Sequence, residues 1–448
     1  MSLLKVRITL ASALLAAGCA GDPRAPLVDA ELPDAWRQPG QGAVVEAWLP
    51  TFNDPHLTGL VNRAIADNHG LAQQRALLDS ARQQARLVRA ARLPTLNLGL
   101  AGQRQRAFAS APVNEQFDLS AVLNAPLDLW GALGDAERQA LLNLAAQEAR
   151  YRDTELNLTA AVVSAHYDAA AALQLQELLE ERLANLVQSL DVIESGYRSG
   201  LNDALDVYLA RNTLEQERAN VASQRQVRMQ AVANLELLLA DYPAGRFAAG
   251  ERLPHMVAPV GAGVPAELLN RRPDIQQAWL ELLAADAGLA VAHKNRFPGL
   301  SLTASARDSD GSLGGALNGG ALAWSVAASL TQPLFQGGRL DALHEQAKLR
   351  IVQLERRYLD TVYRAISQVE TELSRTLNLA ARHEAVHDAQ ASAEAALDLA
   401  FDLYQRGLVS YITVLESQRR AFDAQSSLIR LHQQLLPNPG APPLRPRR

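Results

Sequence analysis

What limits the fold most is helix length without a break. Asp135 to Ser195 is 61 residues with neither glycine nor proline, and Arg339 to Arg406 is 68. Leu201 to Tyr242 and Leu408 to Leu436 are shorter stretches of the same kind. Glycine and proline are the usual helix stops, and helices in globular domains average ~11 residues. At ~1.5 Å per residue, the longest run would extend on the order of 100 Å. Helices of that length pack side by side in coiled coils or helical tubes. Leu175, Leu179, Leu183, Leu186, Leu190 and Ile193 step by threes and fours. In the longer run Leu340, Ile351, Val362 and Leu373 recur every eleven residues, as do Ala347, Tyr358, Val369 and Ala380. That period, ~3.67 residues per turn, departs from a left-handed heptad. With only eight Phe in 448 residues, the chain reads as mostly α with a small β part.

Four segments change period from 3.6 to 2. Leu96-Leu98-Leu100 alternate after Pro94, and Phe117-Leu119-Ala121-Leu123 before Pro126. Leu300-Leu302-Ala304-Ala306 alternate after Pro298, and Leu322-Trp324-Val326-Ala328-Leu330 before Pro333. They predict strands over about 95–108, 115–127, 299–308 and 320–332, paired as two hairpins through loops Gln103–Asn114 and Arg307–Gly320. Each has the length of a tilted membrane strand. Backbone in lipid must be fully paired, and the smallest closed barrels have about eight strands. Four membrane strands per chain therefore require several chains to share one barrel. The competing expectation is a soluble sheet capping a helical bundle.

Lys5 and Arg7, the apolar stretch Ile8–Ala17 and the small residues before Cys19 read as an export signal. Cys19 is the only cysteine, so no internal disulfide can form. Its placement resembles a lipobox, with acylation at Cys19 and Ala20 next to it favouring the outer membrane; an ordinary signal peptide with an incidental cysteine is the alternative. The 43 basic residues are interleaved with 48 acidic ones, and nothing in that pattern suggests a nucleic-acid surface. The expected organisation is a signal over 1–18, a lipid-anchored tether over 19–50, a first repeat over 51–242, a connector over 243–265, a second repeat over 266–436 and a Pro/Arg-rich tail over 437–448.

The repeats show in matched blocks. Leu93-Pro94-Thr95-Leu96-Asn97-Leu98 corresponds to Phe297-Pro298-Gly299-Leu300-Ser301-Leu302. Pro126-Leu127 corresponds to Pro333-Leu334, and Tyr197-Arg198-Ser199-Gly200-Leu201 to Tyr404-Gln405-Arg406-Gly407-Leu408. Their offsets of 204, 207 and 207 indicate internal duplication. This doubled pattern, its two Tyr-x-x-Gly-Leu turns and the block Arg271-Arg272-Pro273-Asp274-Ile275 resemble the outer membrane factor (TolC-like) family, and within it the lipoprotein drug-efflux branch. The likeness covers essentially all of the chain after Cys19. It implies a homotrimer with a shared 12-stranded β-barrel and an α-helical barrel reaching into the periplasm. The function implied is the exit duct of a tripartite efflux system with a periplasmic adaptor and an inner-membrane RND-type pump. The exit duct of a type I protein-secretion system is the alternative within the fold.

The same resemblance suggests site residues. The turns at Tyr197, Gly200, Leu201, Gly407 and Leu408 become adaptor-docking sites at the periplasmic tip. Thr413 and Glu416, three apart on one helical face, fall where family members often carry aspartates, so a ring of Glu416 carboxylates would favour cations. Asp206 and Tyr404 match positions that latch the tip closed, whereas Val409 stands where the family pattern has an arginine. One motif points elsewhere: His383-Glu384-Ala385-Val386-His387 matches the zinc-peptidase pattern His-Glu-x-x-His. It lies deep inside the longest unbroken helical run, and Glu416, a third ligand by sequence distance, lies beyond the Gly407 turn. It reads as an exposed helical face, with no cofactor expected and no enzyme. A structural coiled-coil lipoprotein is a further alternative, one that would not need the four alternating segments.

Overall fold

The structure is a computed structural model describing residues 33–37, 49–200, 203–246, 253, 265 and 271–436. The signal, Cys19, Leu201, the tail and most of the tether and connector lie outside the described residues. Among these, eight α-helices and four strands follow in the order α1 (Pro55–Asp67), α2 (His69–Ala90), β1 (Thr95–Gln105), β2 (Asn114–Leu127), α3 (Ala132–Arg198), α4 (Ala204–Leu238), α5 (Pro273–Lys294), β3 (Gly299–Asp310), α6 (Leu313–Leu317), β4 (Ala323–Thr331), α7 (Arg339–Gln405) and α8 (Tyr411–Leu435). The two glycine- and proline-free runs become α3 and α7, each 67 residues long. On α3, Leu179, Leu186 and Ile193 are buried. On α7 all eight positions of the two eleven-residue series are buried or half-buried. The chain divides into two compact units.

The unit made of 75–150 and 272–362 holds the sheet, whose strand order is β1-β2-β3-β4, antiparallel throughout. The strands differ from expectation at the loop ends. β1 stops at Gln105 because its partner β2 begins opposite it, at Asn114. β3 runs on to Asp310. β4 starts only at Ala323, after the unexpected short helix α6 and the left-handed Gly319. Strand-to-helix junctions are tied by named polar contacts. Asp128 accepts the amides of Leu133 and Gly134 at 3.1 and 2.8 Å, capping α3. Trp130 donates to the Pro298 carbonyl at 2.7 Å, and Lys294 pairs with Asp135 at 2.5 Å. The Arg-Arg-Pro-Asp-Ile block opens α5: Pro273 takes the first turn, and Arg272 grips Asp274 with two hydrogen bonds of 3.0 and 2.8 Å. The planar guanidinium suits this two-point contact.

The unit made of 32–74, 151–271 and 363–448 carries the largest core. Leu57, Leu60, Val61 and Ala64 of α1 pack with Val162, Val163 and Tyr167 of α3 and Leu235 of α4. Asp54 caps α1 by accepting the Leu57 amide at 3.0 Å. Asn68 caps α2 through the Leu71 amide and donates to the Leu238 carbonyl. His166 sits in this core at 3% exposure with Nε2 3.6 Å from Asp54. Farther along, Glu217 of α4 is buried 3.6 Å from Arg182 of α3, whose guanidinium lies 4.2 Å from the ring centre of Phe422 on α8.

Candidate functional site

The alternation that predicts strands also sorts the two faces of the sheet. Register places Leu96, Leu98 and Leu100 of β1 opposite Leu123, Ala121 and Leu119 of β2. Those positions continue across β3 at Ala304 and Ala306, and β4 adds Val326 and Trp324. The resulting apolar face includes Leu98 at 78% and Trp324 at 77% exposure. Asp308, paired with Leu119, interrupts it near the loop end, where it is buried and accepts the Ala321 amide. The opposite face is polar and bonded to itself. Thr303 donates to Asn124 at 3.0 Å, the hydroxyls of Ser305 and Ser325 lie 2.9 Å apart, and Ser309 donates to Asp118. β1 and β4 are the two edges, and nothing in the chain pairs with them among the described residues.

The glycines of the two turns adopt one conformation. Gly200 has φ 74° and Gly407 has φ 71°, the left-handed region that glycine enters without steric cost. Gly200 donates to the Tyr197 carbonyl at 3.0 Å, and Gly407 to the Tyr404 carbonyl at 2.8 Å. Leu408 N–H then reaches the Leu403 carbonyl at 2.9 Å, closing the end of α7. Exposed apolar side chains flank both turns: Tyr197, Leu205 and Tyr208 on one, Leu408 and Ile412 on the other. Beneath them a small core joins the hairpins, with Ile193 and Val207 meeting Ala400, Tyr411 and Val414. Tyr404 packs against Tyr411 with ring centroids 5.7 Å apart. Burial, then the nearness of Tyr404 and of the Asp206 carboxylate, pushes the Tyr411 hydroxyl up to about 12. Tyr404 and Asp206 are thus both neighbours of Tyr411. Tyr411, whose buried hydroxyl finds no hydrogen-bond partner, is a residue that sequence reasoning misses; its only signal is its place as the first residue of α8.

Thr413 and Glu416 line one groove of about 420 Å³ with Ala393, Ala396, Ile412 and Arg420. Glu416 is not alone there. It accepts two hydrogen bonds from Arg419 at 3.1 and 2.8 Å and one from Arg420 at 3.1 Å. Those bonds hold its carboxyl down at about 2. Both arginines stand at the i+3 and i+4 positions, where a helical glutamate meets its partners.

His383 and His387 lie one turn apart within unbroken α7. His383 is half-buried, its ring 6.4 Å from that of His432, and its pKa is lowered by burial and then by His387. Glu384 and His387 are exposed. Among the described residues no group of three or more His, Cys, Asp or Glu side chains could hold a metal ion. No described helix is long and apolar enough to cross a membrane.

Known proteins resemble this chain over most of its length. The family model described as "Outer membrane efflux protein" matches residues 60–241 and 264–438. The solvent efflux pump outer membrane protein SrpC of Pseudomonas putida is 31% identical over 91% of this chain and 89% of its own length. The outer membrane protein OprJ of Pseudomonas aeruginosa is 30% identical over 89% and 85%. Among solved structures, CusC, described in terms of transmembrane channel formation, superposes with a TM-score of 0.84 at 26% identity, over 94% of this chain and 97% of that one. With its helices, its two-faced sheet and these likenesses together, the chain belongs to the outer membrane efflux protein family and is an outer-membrane channel component of an efflux system.

Proposed function

We propose that this chain forms, as a homotrimer, the exit duct of a tripartite RND-type multidrug efflux system. It would be a passive conduit in the outer membrane, anchored through acylated Cys19 and gated at its periplasmic turns. One observation carries the reading: a four-stranded sheet with one apolar face, one polar face and two edges unpaired within the chain among the described residues. An unpaired strand edge in lipid leaves each amide and carbonyl without a partner, at several kcal/mol per group. Edge-to-edge pairing between copies removes that cost, and three copies of four strands give a barrel of twelve. The repeats over 51–242 and 266–436 would then each supply one hairpin and one long helix.

Adaptor docking falls to the turns, whose exposed Tyr197 and Leu408 border Gly200 and Gly407. Asp206 and Tyr404 form the closing latch, and the nearness of both to Tyr411 supports it. A phenol-to-carboxylate hydrogen bond is charge-assisted and stronger than a neutral one. Tyr404→Phe is therefore expected to raise single-channel conductance, and an unchanged value counts against the latch. The chain conducts rather than catalyses: His383, Glu384 and His387 remain on a continuous helix, two of them exposed to solvent. Purified protein added to a planar lipid bilayer should produce discrete conductance steps, and their absence at high protein density would refute the duct.

A further inference from the structure

We infer that the aperture groove is charge-compensated rather than acidic, and that Arg420, backed by Arg419, sets the ion preference of the duct. The inference rests on the exit-duct reading, which brings the groove between α7 and α8 onto the conduit. Glu416 alone would give three copies a ring of carboxylates. In the structure its two oxygens take three N–H donors from Arg419 and Arg420. Arg420 lines the groove beside Glu416 with its side chain 71% exposed. Arg419 also lies 3.6 Å from Asp423, one turn farther along. Glu416 therefore faces Arg419 and Arg420, and Asp423 faces Arg419, which puts two charges of each sign on one stretch of helix.

These pairs are solvent-exposed, so they add little to stability. Their effect on a passing ion does not depend on that. Each pair is closer than the ~8 Å over which salt screens charges at physiological strength. A permeating ion meets their sum, which is zero, rather than the carboxylate alone. A multivalent cation could bind Glu416 only by displacing two guanidinium groups already in place. The groove then admits anionic and zwitterionic solutes as readily as cations.

The test is the reversal potential of the purified trimer in a planar bilayer under a potassium chloride gradient, with a trivalent lanthanide ion added to one side. Wild-type protein should reverse near zero and show no block by the lanthanide. Arg419→Gln/Arg420→Gln should shift the reversal potential toward cation preference and confer block. Glu416→Gln should shift it the opposite way. All three sites lie on an exposed helical face, so the variants keep the fold, and the opposite sign of the Glu416→Gln shift separates charge from damage. A cation-selective wild type that Arg419→Gln/Arg420→Gln leaves unchanged would overturn the inference while the duct reading stands. Failure of every protein to conduct would overturn both.

Discussion

At Gly200 and Gly407 the backbone reverses through a left-handed residue, with nothing within 4 Å of where a Cβ would sit. Space therefore does not demand glycine; conformation does. Gly407→Ala should cost about 1–2 kcal/mol, the strain of a left-handed L-residue, read as a lower denaturation midpoint in detergent. Gly200→Ala should match it. This requirement is legible in Tyr-x-x-Gly-Leu, because a glycine that ends a long helix marks a left-handed cap. The charge around Glu416 is harder to read in sequence: its place after the turn draws attention to a lone carboxylate, although the spacing also carries Arg419 and Arg420. His166 is a second residue that only packing reveals. Burial holds its pKa below 6.5 despite Asp54, and His56 adds to the lowering. The unfolded chain then takes up a proton near 6.5 that the folded core refuses, so stability falls as pH drops from 6.5 toward the depressed folded value. His166→Gln should flatten that fall between about pH 7.5 and 5.5 in thermal melts, and an unaltered slope would place the pH sensitivity elsewhere.

Among the elements, the long helices are the most legible, because 61 and 68 residues without a stop leave little else to form. The strands are legible in type from their alternation, while their ends are not. Strand ends depend on where the partner runs out, as Gln105 opposite Asn114 shows, and that is a property of the pair. Helix α6, capped by Ser312 whose hydroxyl accepts the Gly315 amide, is too short to leave a periodic signal. The two faces of the sheet give the sharpest prediction at this scale. Val326 lies on the apolar face and Ser325 on the polar one. Val326→Arg should cost about 2–4 kcal/mol near the middle of a bilayer, whereas Ser325→Arg should fold almost as wild type. Equal recovery of both in detergent-refolding yields would mean the apolar face does not meet lipid.

For the molecule as a whole, the helices and the sheet make opposite demands on solubility. The helical elements expose charge and satisfy their own backbone. The sheet exposes Leu96, Leu98, Leu100, Trp324 and Val326 and leaves two edges open among the described residues. A lone chain would thus be an aggregation hazard, and closing the edges with identical neighbours is the resolution the family membership supports. Internal duplication follows the same logic: two hairpins per chain make one four-stranded sheet, and a closed symmetric ring of such sheets has no edge left. The most direct measurement is the mass, in detergent, of the Cys19→Ser protein, in which no acyl group can be attached at residue 19 and only the strands are left to hold membrane. A trimer that precipitates once detergent is withdrawn is expected; a monodisperse monomer, stable in plain buffer, is incompatible with strands that pair edge to edge in lipid.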